Sequence, residues 1–403
     1  MNRRQFLLDF ATLSCCVGIG GMLINSETSQ FVPTRITNSK SATVPENSKF
    51  DGNEAKKAYE KLEKQGFVAR EALYWEKTRE GLIKCTLCPR YCNLRPFERG
   101  QCKVRISLEN KLGTLVYGKP CSVAVDPIEK KPVFHLLPGS TAFSIATAGC
   151  LFGCRYCQNW QISQAAPEEV ESYDLPPEKL VEEAIANGCK SIAYTYTEPT
   201  IFYEYMLDTA KLAKQRGIRN VVVSCGYINP EPLAQLAPFL DVMKVDLKGF
   251  TERFYRSVCG GTLAPVLATL KQLSKTNVMM DIVTLVVPTQ NDDLPTMQAM
   301  FKWILENLGA NVSLFLTRFG PTFKMKNLPP TPSSLLTKLR EIAMEIGLPY
   351  VYLGNVPGHE GENTFCSNCK KILVGRMGYQ LTEMNIKNNR CPFCQTLIPG
   401  IWE

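Results

Sequence analysis

Histidine is scarce in this sequence. Only His135 and His359 occur among 403 residues, which disfavours a metal site built from several histidines and a Ser-His-Asp triad with histidines to spare. An excess of charge is also lacking: Lys and Arg number 46 against 38 Asp and Glu, a net +8 with no long basic run, so nucleic-acid binding is not indicated. A chain that is 45% hydrophobic and 21% charged is neither mainly disordered, collagen-like nor a polytopic membrane protein. Its length predicts two or three domains.

Cysteine, by contrast, is abundant, with 17 residues. A disulfide framework suits small secreted chains, whereas this chain can bury a large core, and cysteines two or three residues apart suit a shared metal. Three clusters are present: Cys85, Cys88, Cys92 and Cys102; Cys150, Cys154 and Cys157; and Cys366, Cys369, Cys391 and Cys394. We expect the isolated cysteines to be small buried hydrophobes; these are Cys121, Cys189, Cys225 and Cys259.

Residues 1–25 are predicted to be a targeting segment or anchor. Arg3 and Arg4 precede Phe6 and Leu7, which resembles the twin-arginine signal that exports folded proteins, and the apolar run that follows is short for a membrane span. The expected location is therefore periplasmic or membrane-anchored, the alternative being an uncleaved, non-functional N-terminus on a cytoplasmic protein. Residues 26–65 are predicted to be a linker because their first half is rich in Ser, Thr, Asn and Pro.

From Ala142 onwards, short apolar runs alternate with helical stretches. The predicted strands are 143–148, 191–196, 220–224, 241–246, 278–287, 312–316 and 350–353. The predicted helices are 177–187, 201–216, 230–236, 251–257, 263–273, 294–308 and 333–346. This alternation predicts an α/β fold with a parallel sheet, in a full or partial barrel. The predicted domains are a Cys-rich region at 66–130, the barrel at 131–358 and a four-cysteine module at 359–403.

Active residues of such barrels lie at the C-terminal ends of strands and in the loops that follow. The polar or reactive residues predicted at these places are Cys150, Glu198, Ser224, Asp246, Lys248, Asn291 and Arg318. The alternative is that they are ordinary loop residues. Glu129, Lys130 and Lys131, near His135, are predicted to be solvated surface charge.

Cys150, Cys154 and Cys157 form a C-x3-C-x2-C loop directly after the first predicted parallel strand. Three thiolates can bind three irons of a [4Fe–4S] cluster and leave the fourth open, as a catalytic site requires. Gly149 and Gly153 permit the tight curvature of such a loop. A zinc site with a distant fourth ligand is the alternative.

With Tyr156 in its aromatic position, this loop resembles that of the radical S-adenosylmethionine (SAM) superfamily. The resemblance implies that SAM chelates the open iron and is cleaved by one electron to methionine and a 5′-deoxyadenosyl radical, which abstracts a substrate hydrogen. Tyr196-Thr-Glu198-Pro199 is similar to the element that holds the SAM amino group, although it lacks the usual glycines. Asp246-Leu-Lys248 is similar to a SAM-contacting segment of glycyl-radical activating enzymes. The resemblance places SAM against Tyr156, Glu198, Ser224, Asp246 and Lys248.

Further segments narrow the resemblance to the radical SAM enzymes of the AmmeMemoRadiSam system, over residues 70–403. They are Cys85-Thr-Leu-Cys-Pro-Arg-Tyr-Cys92, Gly100-Gln-Cys102-Lys-Val-Arg105, Asp126-Pro-Ile-Glu-Lys-Lys-Pro132, Cys157-Gln-Asn-Trp160 and Gly354-Asn-Val-Pro-Gly358. The resemblance implies a low-potential electron donor and two companion proteins as partners, and leaves the substrate unknown. Two alternatives stay open: a glycyl-radical activase, and a non-catalytic zinc or iron–sulfur interaction module.

The flanking clusters predict further metal sites. Cys366, Cys369, Cys391 and Cys394 form paired C-x2-C units typical of a zinc ribbon, with a rubredoxin-like iron site as the alternative. A structural role is favoured over substrate docking, although Lys370 and Gln395 replace the usual glycines after the two pairs. The spacing of Cys85, Cys88, Cys92 and Cys102 fits either zinc or a second iron–sulfur cluster.

Overall fold

The computed structural model describes residues 35–36 and 51–403. The predicted targeting segment and most of the predicted linker lie outside the described residues. None of the helices in the described part of the chain is both long and apolar enough to span a membrane.

Strands and helices alternate through most of the described chain. The strands are β1 (Arg35–Ile36), β2 (Arg70–Glu71), β3 (Trp75–Lys77), β4 (Ile83–Cys85), β5 (Asn93–Leu94), β6 (Arg105–Ser107), β7 (Leu112–Thr114), β8 (Ser122–Pro127), β9 (Thr141–Ala146), β10 (Ser172–Tyr173), β11 (Ser191–Tyr194), β12 (Arg219–Ser224), β13 (Val242–Asp246), β14 (Met279–Val286), β15 (Ser313–Arg318), β16 (Val351–Gly354), β17 (Thr364–Phe365), β18 (Ile372–Met377) and β19 (Gln380–Met384). The α-helices are α1 (Gly52–Lys64), α2 (Trp160–Ser163), α3 (Pro177–Ala186), α4 (Tyr203–Gln215), α5 (Pro230–Leu236), α6 (Glu252–Phe254), α7 (Leu263–Leu273), α8 (Leu294–Leu308) and α9 (Ser333–Ile346).

The central sheet has eight strands in the order β16-β15-β14-β13-β12-β11-β9-β8. Strands β9 and β11 to β16 run parallel to their neighbours, whereas β8 is antiparallel to β9. The two end strands, β8 and β16, each pair with a single neighbour within the sheet, so the described strands form an open sheet and not a closed barrel. The prediction of an α/β fold with a parallel sheet is confirmed.

Local sequence signals account for many of the element boundaries. Helices α8 and α9 have the predicted bounds, and α3 begins at a proline and ends before Gly188, whose positive φ terminates it. The edge strand β8 was not predicted. Because β8 belongs to the central sheet, that sheet begins at Ser122 and not in the predicted barrel segment that starts at residue 131.

The chain between β8 and β9 covers one face of the sheet. Ile128, Val133 and Leu136 pack against small or β-branched residues of four parallel strands, namely Ala142, Ala193, Val221 and Val242. Phe134 lies edge-on to the ring of Phe315, with ring centroids 4.9 Å apart. This face is therefore filled by the chain's own side chains.

The charged residues of this segment differ from the prediction of solvated surface charge. Glu129 and Lys131 are both buried, and only Lys130 is substantially exposed. Lys131 Nζ donates to Asp126 at 2.5 Å and to the Tyr196 hydroxyl at 3.1 Å, while the Glu129 carboxylate accepts from the Gly139 amide. The prediction was wrong because the segment that carries these charges packs against the sheet. Side chains from distant parts of the chain pair with them there.

Part of the predicted linker is helical. Asp51 caps α1 by accepting a hydrogen bond from the Asn53 amide at 2.8 Å. Tyr59 and Leu62 on one face of α1 pack against three buried residues beyond it, namely Phe67, Ile106 and Leu115. The linker prediction is therefore wrong over residues 52–64, because the amphipathic pattern outweighs the local polarity.

Besides the antiparallel pair β1-β10, the described residues form three small three-stranded antiparallel sheets outside the central one. Two of them, β2-β7-β6 and β3-β4-β5, lie in the predicted Cys-rich region, and the third, β17-β18-β19, lies in the predicted four-cysteine module. The last residues contact the segment between β8 and β9, since the Leu137 amide donates to the Ile401 carbonyl at 2.7 Å.

Candidate active site

The three-cysteine loop lies just beyond the C-terminal end of β9. Its backbone is tied to neighbouring loops: the Gly149 amide donates to the Ile162 carbonyl and the Gly153 amide to the Cys259 carbonyl, both at 2.9 Å. Gly149 has a φ of +88°, and a Cβ there would lie 2.3 Å from the Cys102 carbonyl oxygen. Only glycine fits this position, so the loop begins at a fixed point against the Cys-rich region.

The thiols of this loop are held apart from one another. Within the described residues, a single group brings three or more Cys, His, Asp or Glu ligand atoms within 4.8 Å of one another, and that group is the C-terminal quartet. A zinc ion with bonds of about 2.3 Å holds its sulfurs about 4 Å apart, so the loop does not match a single ion. A [4Fe–4S] cluster binds each thiolate to a different iron and does not require three sulfurs within 4.8 Å of one another, so the donor set of this loop is compatible with that group.

Hydrogen bonds and burial set the state of these thiols. The Phe152 amide donates to Cys150 Sγ at 3.4 Å, and the Ser163 hydroxyl lies 3.2 Å from Cys157 Sγ. Burial, followed by the nearby Glu198 carboxylate, raises the pKa of Cys150 well above its ordinary value. A thiolate here therefore requires a bound cation, as an iron site supplies.

Glu198 lies beyond the end of β11, and hydrogen bonds to both carboxylate oxygens fix its orientation. Its Oε1 accepts hydrogen bonds from the Thr200 hydroxyl and the Ser224 hydroxyl, both at 2.7 Å, and its Oε2 accepts from the Cys225 amide at 2.8 Å. Glu198 is 1% exposed. Tyr196 adopts a φ of +66°, so it takes the left-handed conformation that glycine would otherwise supply in this element. The orientation of Glu198 is thus preset by the ends of two adjacent strands.

Asp246 ends β13 and lies between two lysines. Its carboxylate pairs with Lys244 and, at 3.1 Å, with Lys248. Burial opposes ionisation of Asp246, but the two lysines outweigh it and lower the pKa of the carboxyl group to about 2. The charge of Lys248 in turn interacts electrostatically with Cys154 and Tyr156 of the cysteine loop.

Asn291 fixes the loop that carries Lys248. Its side-chain amide donates to the Lys248 carbonyl at 2.8 Å and to the Leu285 carbonyl at 2.9 Å, and its oxygen accepts from the Val287 amide at 2.6 Å. All of these atoms lie at or beyond the ends of β13 and β14. Asn291 therefore acts as a positioning residue for this edge of the sheet.

The predicted site residues do not all converge. Electrostatic interactions link Cys150 with Glu198 and Lys248 with Cys154 and Cys225, so these groups share one site. The guanidinium of Arg318, by contrast, donates to the Thr331 carbonyl at 2.9 Å and is engaged in a separate loop. Tyr156 is buried, and its hydroxyl lies 3.6 Å from Cys259 Sγ.

Several residues of this region escaped the sequence reasoning. Cys225 and Cys259 are buried as expected, but both border the site, and Cys121 is only half-buried. Asp281 is fully buried with no hydrogen bond to either carboxylate oxygen, and it pairs in register with Lys244. An aspartate inside an apolar strand is a sequence signal that could have identified Asp281.

The C-terminal quartet forms a compact site of its own. Cys366 Sγ lies 3.5 Å from Cys394 Sγ, and Cys369 Sγ lies 3.7 Å from Cys391 Sγ. These separations suit one tetrahedral metal ion. Lys370 and Gln395, which replace the usual glycines, have φ of +60° and +61°, so both turns keep the left-handed conformation. The N-terminal quartet is also brought together, since Cys85, Cys88, Cys92 and Cys102 line one small cavity.

The C-terminal edge of the open sheet thus carries thiols, a buried glutamate and a lysine, an arrangement typical of enzymes with a thiolate-bound cofactor. The sequence model of the Radical SAM superfamily matches residues 144–299. The chain is 42% identical over 327 residues to an uncharacterized protein of Methanocaldococcus jannaschii, MJ0808, which covers 81% of this chain and 97% of that protein. A second uncharacterized protein of that organism, MJ0674, is 24% identical over 277 residues, 66% of this chain and 75% of its own length.

Among solved structures, the chain is similar to a radical SAM methyltransferase from Sphaerobacter thermophilus, with a TM-score of 0.42 and 14% identity over 75% of this chain and 81% of that chain. It is also similar to a domain of pyruvate-formate lyase-activating enzyme from Bacteroides vulgatus, with a TM-score of 0.38 and 14% identity over 41% of this chain and 99% of that chain. The chain therefore contains a radical SAM superfamily domain over residues 144–299, and over most of its length it belongs to one family with MJ0808.

Proposed function

We propose that Cys150, Cys154 and Cys157 hold a [4Fe–4S] cluster and that the enzyme uses it to cleave SAM reductively. When bound, the reduced cluster supplies one electron to the sulfonium of SAM, which yields methionine and a 5′-deoxyadenosyl radical that abstracts a substrate hydrogen. The observation that carries this proposal is the placement of three thiols directly beyond the end of β9, where Cys150 interacts electrostatically with the buried Glu198.

The chain's own residues orient SAM and exclude water. Glu198 Oε2 accepts a single described hydrogen bond, and its second lone pair suits the amino group of SAM. Lys248 and Asp246 form a partly buried ion pair at the same edge, where they provide fixed charges for the carboxylate and ribose hydroxyls of SAM. Ser224 keeps Glu198 in place, and Tyr156 closes the cysteine loop against Cys259.

The finer assignment is to the radical SAM enzymes of the AmmeMemoRadiSam system. The motifs named above support it, and they fall in both the Cys-rich region and the central sheet. The two companion proteins of that system and a low-potential electron donor are the proposed partners. The test is to incubate the reduced enzyme with SAM and with each companion protein labelled with deuterium. If that companion is the substrate, deuterium should appear in 5′-deoxyadenosine. A glycyl-radical EPR signal on a partner would favour an activase instead.

Export through the twin-arginine route is the proposed localisation. Arg3 and Arg4 support it, because that route carries proteins that have already folded around a metal cofactor. A fusion of residues 1–40 to a reporter that must fold before transport tests it. Export that persists after both arginines are replaced by lysine would contradict the proposal.

The test of the catalytic proposal is anaerobic reconstitution with iron and sulfide. The reduced protein should give a [4Fe–4S] EPR signal that changes on addition of SAM, and dithionite should drive release of 5′-deoxyadenosine. Cys154→Ala should abolish both the SAM-induced change and the release. Cys189→Ala, a buried cysteine at the opposite end of β11, is the matched control and should retain both. Release that persists in Cys154→Ala would refute the assignment.

A further inference from the structure

The N-terminal cysteines converge on one cavity from two short hairpin segments. Cys85 ends β4, and its amide donates to the Cys92 carbonyl at 3.0 Å, which closes the first segment on itself. A Cβ on Gly100 would lie 3.7 Å from both Cys92 Sγ and Cys102 Sγ, so Gly100 forms part of the cavity wall between these two thiols. The fold therefore directs four thiols to one place.

The distances between these thiols help to choose between the two metal centres that the sequence left open, a zinc ion and an iron–sulfur cluster. Within the described chain, no three of Cys85, Cys88, Cys92 and Cys102 bring their sulfurs within 4.8 Å of one another, although the C-terminal quartet does so. One tetrahedral zinc ion needs sulfurs about 4 Å apart, which the C-terminal quartet provides and the N-terminal quartet does not. A [4Fe–4S] cluster binds each thiolate to a different iron, so it does not require sulfurs that close to one another, and we take it as the better match.

A buried cation lines the same cavity. Arg105 is 2% exposed, donates to Cys85 Sγ at 3.4 Å through Nη1, and pairs with Glu204 through Nη2. Its Nε is buried and has no hydrogen-bond partner within the described residues. A cluster bound by four thiolates carries net negative charge, so an unpaired N–H of a buried guanidinium beside the thiols is the donor that its sulfurs would use.

The cavity adjoins the catalytic cysteine loop directly. Leu151, which follows Cys150, lines the cavity, and Arg90 donates to the Leu151 carbonyl at 2.6 Å. Gly149, which precedes Cys150, is pressed against the Cys102 carbonyl. Both chain neighbours of Cys150 thus contact the wall of the four-cysteine cavity.

The other side of the quartet lies towards the surface. Cys92 also lines an open concavity, together with Arg90, Arg99 and the half-exposed Tyr91. A reductant can therefore approach Cys92 without entering the space beside Glu198 and Lys248.

We propose that Cys85, Cys88, Cys92 and Cys102 hold a second [4Fe–4S] cluster, which passes single electrons to the cluster at Cys150, Cys154 and Cys157. A low-potential one-electron donor protein reduces the second cluster from the 2+ to the 1+ state. That electron moves to the first cluster, which becomes 1+, while the second cluster returns to 2+. No proton or bond is exchanged in either step. The destination of the electron rests on the proposed function, whereas the presence of the second cluster does not.

The first experiment asks whether the cluster exists. A variant with Cys150, Cys154 and Cys157 all changed to Ala is reconstituted anaerobically, and its iron and acid-labile sulfide are counted. We expect about four of each per chain and a reduced [4Fe–4S] EPR signal that SAM does not alter. Sulfide is decisive because neither zinc nor a rubredoxin-like iron at the C-terminal quartet contains it. Zinc without sulfide would overturn the proposal, even if the intact enzyme cleaves SAM.

The second experiment tests the relay in the full chain. Cys92→Ser and Cys88→Ser are compared with the half-buried control Cys121→Ser, and 5′-deoxyadenosine release is measured with a reduced flavodoxin or ferredoxin and with dithionite. The quartet variants should lose at least about tenfold in protein-driven release and change little with dithionite, while the SAM-induced EPR change of the first cluster persists. Equal losses with both reductants, or no loss with either, would overturn the relay.

Discussion

Ser224, the last residue of β12, donates a 2.7 Å hydrogen bond to Glu198, which lies just beyond the adjacent parallel strand β11. The Cys225 amide donates to the other carboxylate oxygen at 2.8 Å. One strand end thus holds the acidic side chain supplied by its neighbour, which is how a parallel sheet builds a rigid ligand site at its C-terminal edge.

Replacing Glu198 with Gln is expected to weaken SAM binding without loss of the cluster. The amide nitrogen cannot accept a hydrogen bond, so it would face donors from Thr200, Ser224 or the Cys225 amide. Loss of one charge-assisted hydrogen bond of about 1.5–3 kcal/mol predicts an affinity about 10- to 100-fold lower.

Equilibrium dialysis with labelled SAM, together with an iron count, checks the Glu198 prediction. Glu182→Gln, on the exposed face of α3, is the matched control and should bind SAM normally. Simultaneous loss of iron from Glu198→Gln would instead assign Glu198 a structural role.

Asp281 is expected to make stability depend on pH. Burial raises its pKa to about 7, and Ser313 and Lys244 only partly oppose that shift. The unfolded carboxyl group has a pKa of about 4, so the folded state binds more protons between pH 4 and 7, and stability falls as the pH rises through this window. Asn does not ionise, so Asp281→Asn does not lose stability as the pH rises. At pH 8 its free energy of unfolding should exceed that of the wild type by about 4 kcal/mol at most.

Chemical denaturation at pH 5 and pH 8 measures the effect at Asp281. The advantage of Asp281→Asn over the wild type should be larger at pH 8 than at pH 5. Asp292→Asn serves as the pH control. Asp292 lies on a loop, and its carboxylate accepts a hydrogen bond from the Thr289 amide. An equal difference at both pH values would show that Asp281 is already ionised in the folded protein.

The sequence predicted local features of this protein better than its long-range pairs. Helix α8 and the Cys150 loop follow from periodicity and spacing, which are properties of neighbouring residues. The burial of Lys131 depends on Asp126 and Tyr196, and that of Glu129 on Arg376, which meet only when the chain between β8 and β9 turns under the sheet. The edge strand β8 escaped prediction because its short run offers little alternation between buried and exposed residues.

Lys370→Gly is expected to stabilise the C-terminal metal site. Lys370 has a φ of +60°, a conformation that costs a residue with a side chain about 1 kcal/mol relative to glycine. In chelator or denaturant titrations, the free energy of unfolding of the variant should therefore be about 1 kcal/mol higher than that of the wild type. Asn368→Gly, at an exposed position of the same turn without a positive φ, should be neutral or destabilising. Stabilisation by both substitutions would point to charge or flexibility instead of backbone strain.

Removing the metal from the C-terminal quartet is expected to destabilise the protein well beyond that module. Cys366 and Cys391 are fully buried in a cluster with Ile398 and Trp402. The Trp402 ring lies 5.0 Å from the ring of His135, whose Nε2 lies 2.6 Å from the Tyr352 hydroxyl on β16. Loss of the metal should therefore loosen the segment that covers the sheet.

Cys369→Ser provides the test, because it removes one ligand without adding bulk. We expect a loss of at least about 3 kcal/mol in the free energy of unfolding and a red shift of tryptophan fluorescence, since metal binding here is coupled to folding. Cys189→Ser controls for the loss of a buried thiol and should leave the fluorescence unchanged. If Cys369→Ser released the metal but kept the wild-type melting curve and fluorescence, the quartet would be independent of the packing between Trp402, His135 and β16.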